Sequence, residues 1–463
     1  MSLRRLALTV LLGAAACSSK PSTHARARPD ASAAQPVAAG PVVHHGIPWY
    51  EDQASLALAA AKSQRKLLLV DLWAPWCHTC LSMREYVLTE ANLARSRERL
   101  LFLAINTERA ENAALLSALP VGAWPTFYVI DSDQRVYGRW VGAASPAQLA
   151  TFLQDALKAY DARGSDALPQ DTPAALLVAA DRLLAKDHPA DARELYRRAL
   201  AVAPRDWPRR PDALVAFAST LRKLGQVKPC VALGLTSLQQ TGQSASATDF
   251  SYHVLDCAKQ LPAGDAKARA LRARVERRLS ALCDSGSPEL TPDDRGDACG
   301  LLREVREQLG DEAGAREALT TRLEILQAAA EGLPDRLALT YDFARVESLL
   351  GLGRRDEAIA LLTAREAALP DDYNPPHYLA RAYRELKRYD EALAALERAL
   401  RKAEGPRRAG MLGLKVDLLL SANQKPRARE VLEQQLAAYR ALPAGLKQPE
   451  REAKVAERLK AWR

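Results

Sequence analysis

Val70-Asp71-Leu72-Trp73-Ala74-Pro75-Trp76-Cys77-His78-Thr79-Cys80 is the stretch on which the reading of this chain turns. The apolar run Lys66 to Leu72 ahead of it is short and Leu-rich, which reads as a buried strand, and Leu81 to Thr89 behind it reads as a helix. Two intervening residues let both sulfurs meet across one helical turn, so C-x-x-C at a strand-to-helix junction is a redox signature. The competing reading is half of a zinc site, which needs a second ligand pair at suitable spacing. Residues 47–160 contain none.

Working outward, Ser55 to Ser63 reads as a helix and Leu100 to Ile105 as a second apolar strand. Thr126 to Ile130 and Arg135 to Val141 flank the turn Asp131-Ser132-Asp133-Gln134 as a hairpin, and a helix follows from Pro146 to Tyr160. The order α, β, α, β, α, β, β, α predicts an α/β domain over 47–160 with a parallel sheet core.

The motif, the strand ahead of it and the later Trp124-Pro125-Thr126 resemble the thioredoxin superfamily, especially its exported thiol-disulfide oxidoreductases. That resemblance implies roles residue by residue. Cys77 is the exposed attacking thiolate, Cys80 the buried resolving thiol, and Asp71 the buried carboxylate that accepts and returns the proton of Cys80. Pro125 matches the family's cis-proline beside the disulfide, where the backbone binds an extended substrate. Trp76, His78, Trp124 and Thr126 complete the implied substrate-binding surface, and Gly142 matches the glycine after the last strand. No cofactor is implied beyond the Cys77/Cys80 disulfide itself, and no metal.

Physical chemistry supports these roles. A cysteine at a helix N-terminus faces unsatisfied N–H groups and the positive end of the macrodipole, so its pKa falls, to roughly 3.5 to 7.5 in such motifs. Attack by the thiolate gives a mixed disulfide that Cys80 resolves. A protonated His78 stabilises the thiolate further, which predicts a more oxidising couple than a Gly-Pro spacer gives. The bland alternative is an inert stabilising disulfide.

From Thr172 onward strand signals vanish, and Ala, Leu, Arg and Glu recur at helical spacing to the end, a length that demands repeats. Ala192, Tyr196, Ala199 and Pro204 recur in kind as Ala358, Leu362 and Pro370, then as Ala392, Leu396 and Ala399. These segments resemble tetratricopeptide (TPR) repeats, most clearly from Tyr373 to Glu404, with Leu379, Ala380, Tyr383 and Tyr389 also on the family's packing positions. Further helix pairs fall at Asp212 to Gln240, Thr248 to Cys283, Pro292 to Ala330, Leu337 to Ala368 and Gly410 to Tyr439. The expectation is an all-α solenoid over 172–463, after a linker at 161–171, with a concave surface that binds a protein or peptide. Helices adjacent in sequence are adjacent in a solenoid, which favours disulfides Cys230 with Cys257 and Cys283 with Cys299; buried free thiols are the alternative.

At the other end, Arg4 and Arg5, the apolar run Leu6 to Leu12 and Gly13-Ala14-Ala15-Ala16 form a secretory signal over 1–16. It resembles a bacterial lipoprotein signal, which implies lipidation of Cys17 and a periplasmic, membrane-anchored protein. Plain cleavage is the alternative. Loss of this segment removes two Arg and no acid, taking the net charge from +9 to +7. Residues 17–46 are Ala, Pro and Ser-rich and read as a flexible tether, with His44 and His45 as solvated linker residues.

The whole chain of 463 residues is 48% hydrophobic and 26% charged, which excludes wholesale disorder and small disulfide scaffolds. The positive excess is spread through mixed-sign segments with 6% aromatics, which argues against nucleic acid as a partner. The expected partners are a cysteine-containing protein substrate, an upstream redox partner, and a protein or peptide on the repeats. An assembly scaffold with a passive redox fold is the competing class. Only 3 Met residues argue against a metal carrier.

Overall fold

A computed structural model describes residues 40–162, 171–262 and 264–462. The signal segment, Cys17, most of the tether and most of the linker lie outside the described residues.

Six strands form one mixed sheet: β1 (Val42–His44), β2 (Ile47–Glu51), β3 (Leu67–Trp73), β4 (Leu100–Asn106), β5 (Thr126–Ile130) and β6 (Val136–Val141), in the order β1-β2-β4-β3-β5-β6. β2, β4 and β3 run parallel, whereas β5 and β6 are antiparallel. Strand β3 is central and buried on both faces, which explains its unbroken Leu67-Leu68-Leu69-Val70 run. Its helical neighbours are α1 (Ala54–Gln64), α2 (His78–Ser82, continued by one π-helical turn, Met83–Val87), α3 (Glu90–Leu93), α4 (Ala113–Ala118) and α5 (Pro146–Asp161). Helix α5 starts where Ser145 and Gln148 close a capping box around Pro146.

Two strands depart from the sequence expectation. β1 and β2 form a hairpin through His45 and Gly46, both at positive φ, and β2 joins the edge of β4. His44 and His45 are solvated, as expected, but stand on this hairpin rather than in a flexible tether. His44 Nε2 lies 3.0 Å from Glu51 and His45 Nε2 3.2 Å from Glu85. Three- and five-residue strands interrupted by Pro48 carry too short a pattern to read.

Fifteen helices follow among the described residues. They are α6 (Pro173–Ala185), α7 (Pro189–Val202), α8 (Arg210–Lys223), α9 (Val227–Ser237), α10 (Ala245–Lys259), α11 (Ala266–Cys283), α12 (Pro292–Leu309) and α13 (Glu312–Ala330). The array continues with α14 (Asp335–Gly351), α15 (Arg355–Ala368), α16 (Asn374–Glu385), α17 (Tyr389–Leu400), α18 (Gly405–Ser421), α19 (Lys425–Ala441) and α20 (Pro449–Lys460). Consecutive helices pair, and the repeating small residues Ala192, Ala199, Ala358, Ala392 and Ala399 are fully buried at the pairing faces. Tyr196, Leu362 and Leu396 fill the spaces beside them. No described helix is long and apolar enough to cross a membrane.

The helical array does not stand apart from the sheet. Leu68, Val70 and Leu72 on one face of β3 belong to the same apolar core as Leu362, Leu396 and Leu432, whereas Leu67 and Leu69 face a second core closed by α5. Contact is backbone-close at Gly445, where a Cβ would fall 1.9 Å from the Ala113 carbonyl oxygen.

Disulfides join Cys230 on α9 to Cys257 on α10, and Cys283 at the end of α11 to Cys299 on α12. Both pin neighbouring helices, and closing a loop of 16 residues in the second case stabilises by about 3 kcal/mol. Replacing Cys283 and Cys299 together by Ala is expected to lower the unfolding free energy by about that amount in a denaturant titration. An unchanged midpoint would show that this bridge carries no stability.

Candidate functional site

The chain leaves β3 at Trp73 and turns through Ala74-Pro75-Trp76, with Cys77 N–H donating to the Ala74 carbonyl at 3.0 Å. Cys77 is the N-cap of α2, in extended conformation, and its Sγ accepts the Cys80 amide N–H at 3.0 Å. The two sulfurs are bonded to each other, with Cα atoms 5.2 Å apart. A sulfur already placed on helix N–H groups is one whose anion is favoured when the bond opens.

Trp124 and Pro125 are joined by a cis peptide bond, and the Pro125 carbonyl accepts from Gly142 N–H at 2.9 Å. Gly142 has φ +88°, and a Cβ there would fall 2.4 Å from Asp249 Oδ2 of α10, so only glycine fits. The indoles of Trp76 and Trp124 meet edge to face at 5.1 Å and, with Trp73, pack on the Cys77–Cys80 pair. Trp124 Nε1 donates to Thr107 at 2.8 Å.

Two sequence expectations change here. Cys77 is not exposed: it retains 4% of its surface, because Trp73, Trp76 and Trp124 pack on it. Helix α2 packs between α12 and α14. Asn374 of α16 donates to the Pro75 carbonyl at 3.2 Å, Ser82 donates to Thr291 at 3.1 Å, and the Tyr86 and Tyr341 hydroxyls share a hydrogen bond of 2.7 Å. Thr126 is also not available to a substrate through its side chain. It is fully buried, and its hydroxyl donates to the Ala123 carbonyl at 2.7 Å, closing the loop before the proline.

Asp71 is buried on β3 and accepts from Arg84 Nε at 3.1 Å, while its Oδ1 has no hydrogen-bond partner. Burial raises its pKa, outweighing the opposing charge of Arg84. Arg84 itself lies 3.8 Å over the Trp73 ring. On the other side of the motif, His78 Nδ1 donates to Asp293 of α12, 2.9 Å from Oδ1 and 3.0 Å from Oδ2. Its Nε2 faces Asp297 at 3.9 Å. Burial opposes the imidazolium, but the Asp293 and Asp297 carboxylates win and push its pKa up to about 10. His78, Asp293 and Asp297 bring three ligand atoms within 4.8 Å of one another, a grouping among the described residues that could hold a metal ion.

Glu108, just beyond β4, is the carboxylate that composition and motif did not single out. Trp76 Nε1 donates to its Oε1 at 2.7 Å and Tyr373 Oη to its Oε2 at 2.7 Å. Burial raises its pKa to about 7 even though both donors favour the anion. Asp293 carried one sequence signal, the Thr291-Pro292-Asp293-Asp294 helix start, whose capping box the structure shows. Nothing in that signal indicated that the next side chain reaches the redox motif 215 residues earlier in the chain.

The raised His78 pKa has a definite pH consequence. A folded-state pKa of about 10 against an ordinary 6.5 gives stability that is fully present below about 6.5 and lost as pH rises through 10. Thermal unfolding of the wild type should therefore weaken across that window relative to Asp293→Asn. Parallel pH profiles for the two proteins would remove the His78–Asp293 linkage.

A thioredoxin-like domain family model matches residues 54–157, and tetratricopeptide repeat models match residues 174–276 and 349–413. The thiol:disulfide interchange protein DsbD of a Pseudomonas species is 33% identical over 129 residues, covering 26% of this chain. The chain spans 22% of the length of that curated relative. Among solved structures, a tetratricopeptide repeat protein from Parabacteroides merdae aligns with 62% of this chain and 96% of its own, at 14% identity and TM-score 0.40. A thermophilic TPR protein of Thermus thermophilus covers 54% of this chain and 98% of its own, at 23% identity and TM-score 0.26. The chain thus carries a thioredoxin-like domain over residues 54–157, followed by tetratricopeptide repeats.

Proposed function

We propose that this protein is an exported, membrane-anchored thiol-disulfide oxidoreductase that works through Cys77 and Cys80, with its repeats positioning a protein partner. The observation that carries the reading is the Cys77–Cys80 pair at the start of α2, beside the cis Trp124–Pro125 loop and one turn from Arg84–Asp71. In the reduced protein the Cys77 thiolate attacks one sulfur of a client disulfide, forming a mixed disulfide and expelling the client's other sulfur as a thiolate. Cys80, giving its proton to Asp71, then attacks Cys77 Sγ and releases the second client thiolate. Two electrons pass to the client, and a dithiol partner restores the pair. Periplasmic location and a lipid on Cys17 belong to the same proposal and rest on the N-terminal sequence.

The burial of Cys77 favours a second reading, a TPR scaffold with a passive redox fold. The two readings part on one measurement. Purified full-length protein is expected to turn over a disulfide substrate, Cys77→Ser to lose that activity, and Cys80→Ser to accumulate a mixed disulfide on Cys77. Asp71→Asn should slow the resolving step by at least about 10²-fold, the usual contribution of a positioned base. Absence of exchange with every dithiol and disulfide tried would leave the scaffold.

A further inference from the structure

A cavity of about 560 Å³ lies where the redox fold meets the last repeats. From the redox side Trp76, Glu108 and Trp124 line it. From the repeats come five cations: Arg381, Arg384, Arg407, Lys447 and Arg451. The imbalance is not repaired by neighbours. Arg381 lies 4.8 Å over the Phe343 ring, and neither it nor Arg451 closes an ion pair with any described residue. Glu347 faces Arg381 electrostatically from α14 without closing a pair. Arg407 donates to His377 Nδ1 at 3.2 Å and stacks on Trp76 at 5.1 Å and Tyr373 at 5.8 Å, leaving its buried Nε without an acceptor. Arg384 alone has a carboxylate, the exposed Glu385 at 2.9 Å, and Lys447 donates to the Arg440 carbonyl.

The one acid in the wall, Glu108, faces Arg407 and offsets at most one of the five cations. Both oxygens of Glu108 are occupied by Trp76 and Tyr373, and Glu404 nearby opposes its ionisation further. His377 stays neutral, because burial and the charges of Arg407, Arg381 and Arg384 hold its pKa well below the ordinary value. Five cations against one carboxylate in the wall of a partly enclosed, low-dielectric site raise the local potential and favour an anionic guest. The space is that of a ligand pocket rather than of a single inorganic anion, and aromatic walls beside the charges suit a polypeptide with an apolar stem.

We propose that this cavity receives an acidic segment of the client protein, next to the cysteine that Cys77 attacks. The proposal rests on the oxidoreductase reading and names its substrate class. The Trp76–Trp124 pair separates the cavity from the disulfide, so a segment seated among the arginines presses on the two rings that cover Cys77.

The test is calorimetric binding to the full-length protein of two short peptides that differ only in flanks, Asp/Glu against Lys, each with Ser in place of Cys. Oxidised glutathione is the third probe. The acidic peptide is expected to bind at least about ten-fold more tightly than its Lys counterpart and to weaken with added salt. Lys447→Gln with Arg451→Gln, both exposed, should lower that affinity about ten-fold, and Arg407→Gln should lower it further. Equal binding of the two peptides overturns the proposal, as does unchanged affinity in the double variant or a preference for oxidised glutathione over the acidic peptide. Because the peptides carry no sulfur, binding without any exchange activity sinks the oxidoreductase reading alone. Exchange without acidic preference sinks the cavity alone.

Discussion

Helix α2 has to satisfy two packings at once, and the rest of the molecule is arranged around that constraint. Its first turn must hold Cys77 and Cys80 in bonding distance against Trp73, Trp76 and Trp124. Its outer face must fit between α12 and α14 of the repeats. A partly buried imidazole in such a place is costly unless its charge is paired, and Asp293 supplies the pair. The contacts of Ser82, Tyr86 and Pro75 with Thr291, Tyr341 and Asn374 extend the same seam.

The cysteine motif and the repeat array are therefore packed as one unit. The sulfur pair draws its helix-terminal N–H from the thioredoxin-like fold, but the electrostatics around it come from both halves. Asp293 and Asp297 face one side of the motif, and Arg407, stacked on Trp76, faces the other. Glu108 sits between Trp76 and Tyr373, tying an indole beside the disulfide to a repeat tyrosine. Cys77, with 4% of its surface exposed, lies under this seam together with Cys80.

Much of this was legible before any coordinates. The strands and helices around the motif, the hairpin at Thr126 to Ile130 and the helix pairs of the repeats all carry strong local periodicity, and the structure places them within a few residues of the sequence reading. The N-terminal hairpin was not legible because β2 takes its stability from pairing with β4, and β1 from pairing with β2, rather than from their own pattern. Thr126 reads as a substrate contact because the resemblance places it beside the cis-proline; its hydroxyl is spent on its own loop.

By itself the sequence determined the two architectures, the cysteine pair at a helix start and the alanine spacing of the repeats. Each of these is a local pattern whose meaning survives without knowledge of what lies opposite. Only the tertiary structure decided that Cys77 is covered, that His78 is paired, and that Arg381, Arg407 and Arg451 share a wall with Trp76 and Trp124. Those facts depend on how a long helical array folds back over the sheet. The energy of that closure is spread over many weak contacts separated by hundreds of residues, and no short pattern records it.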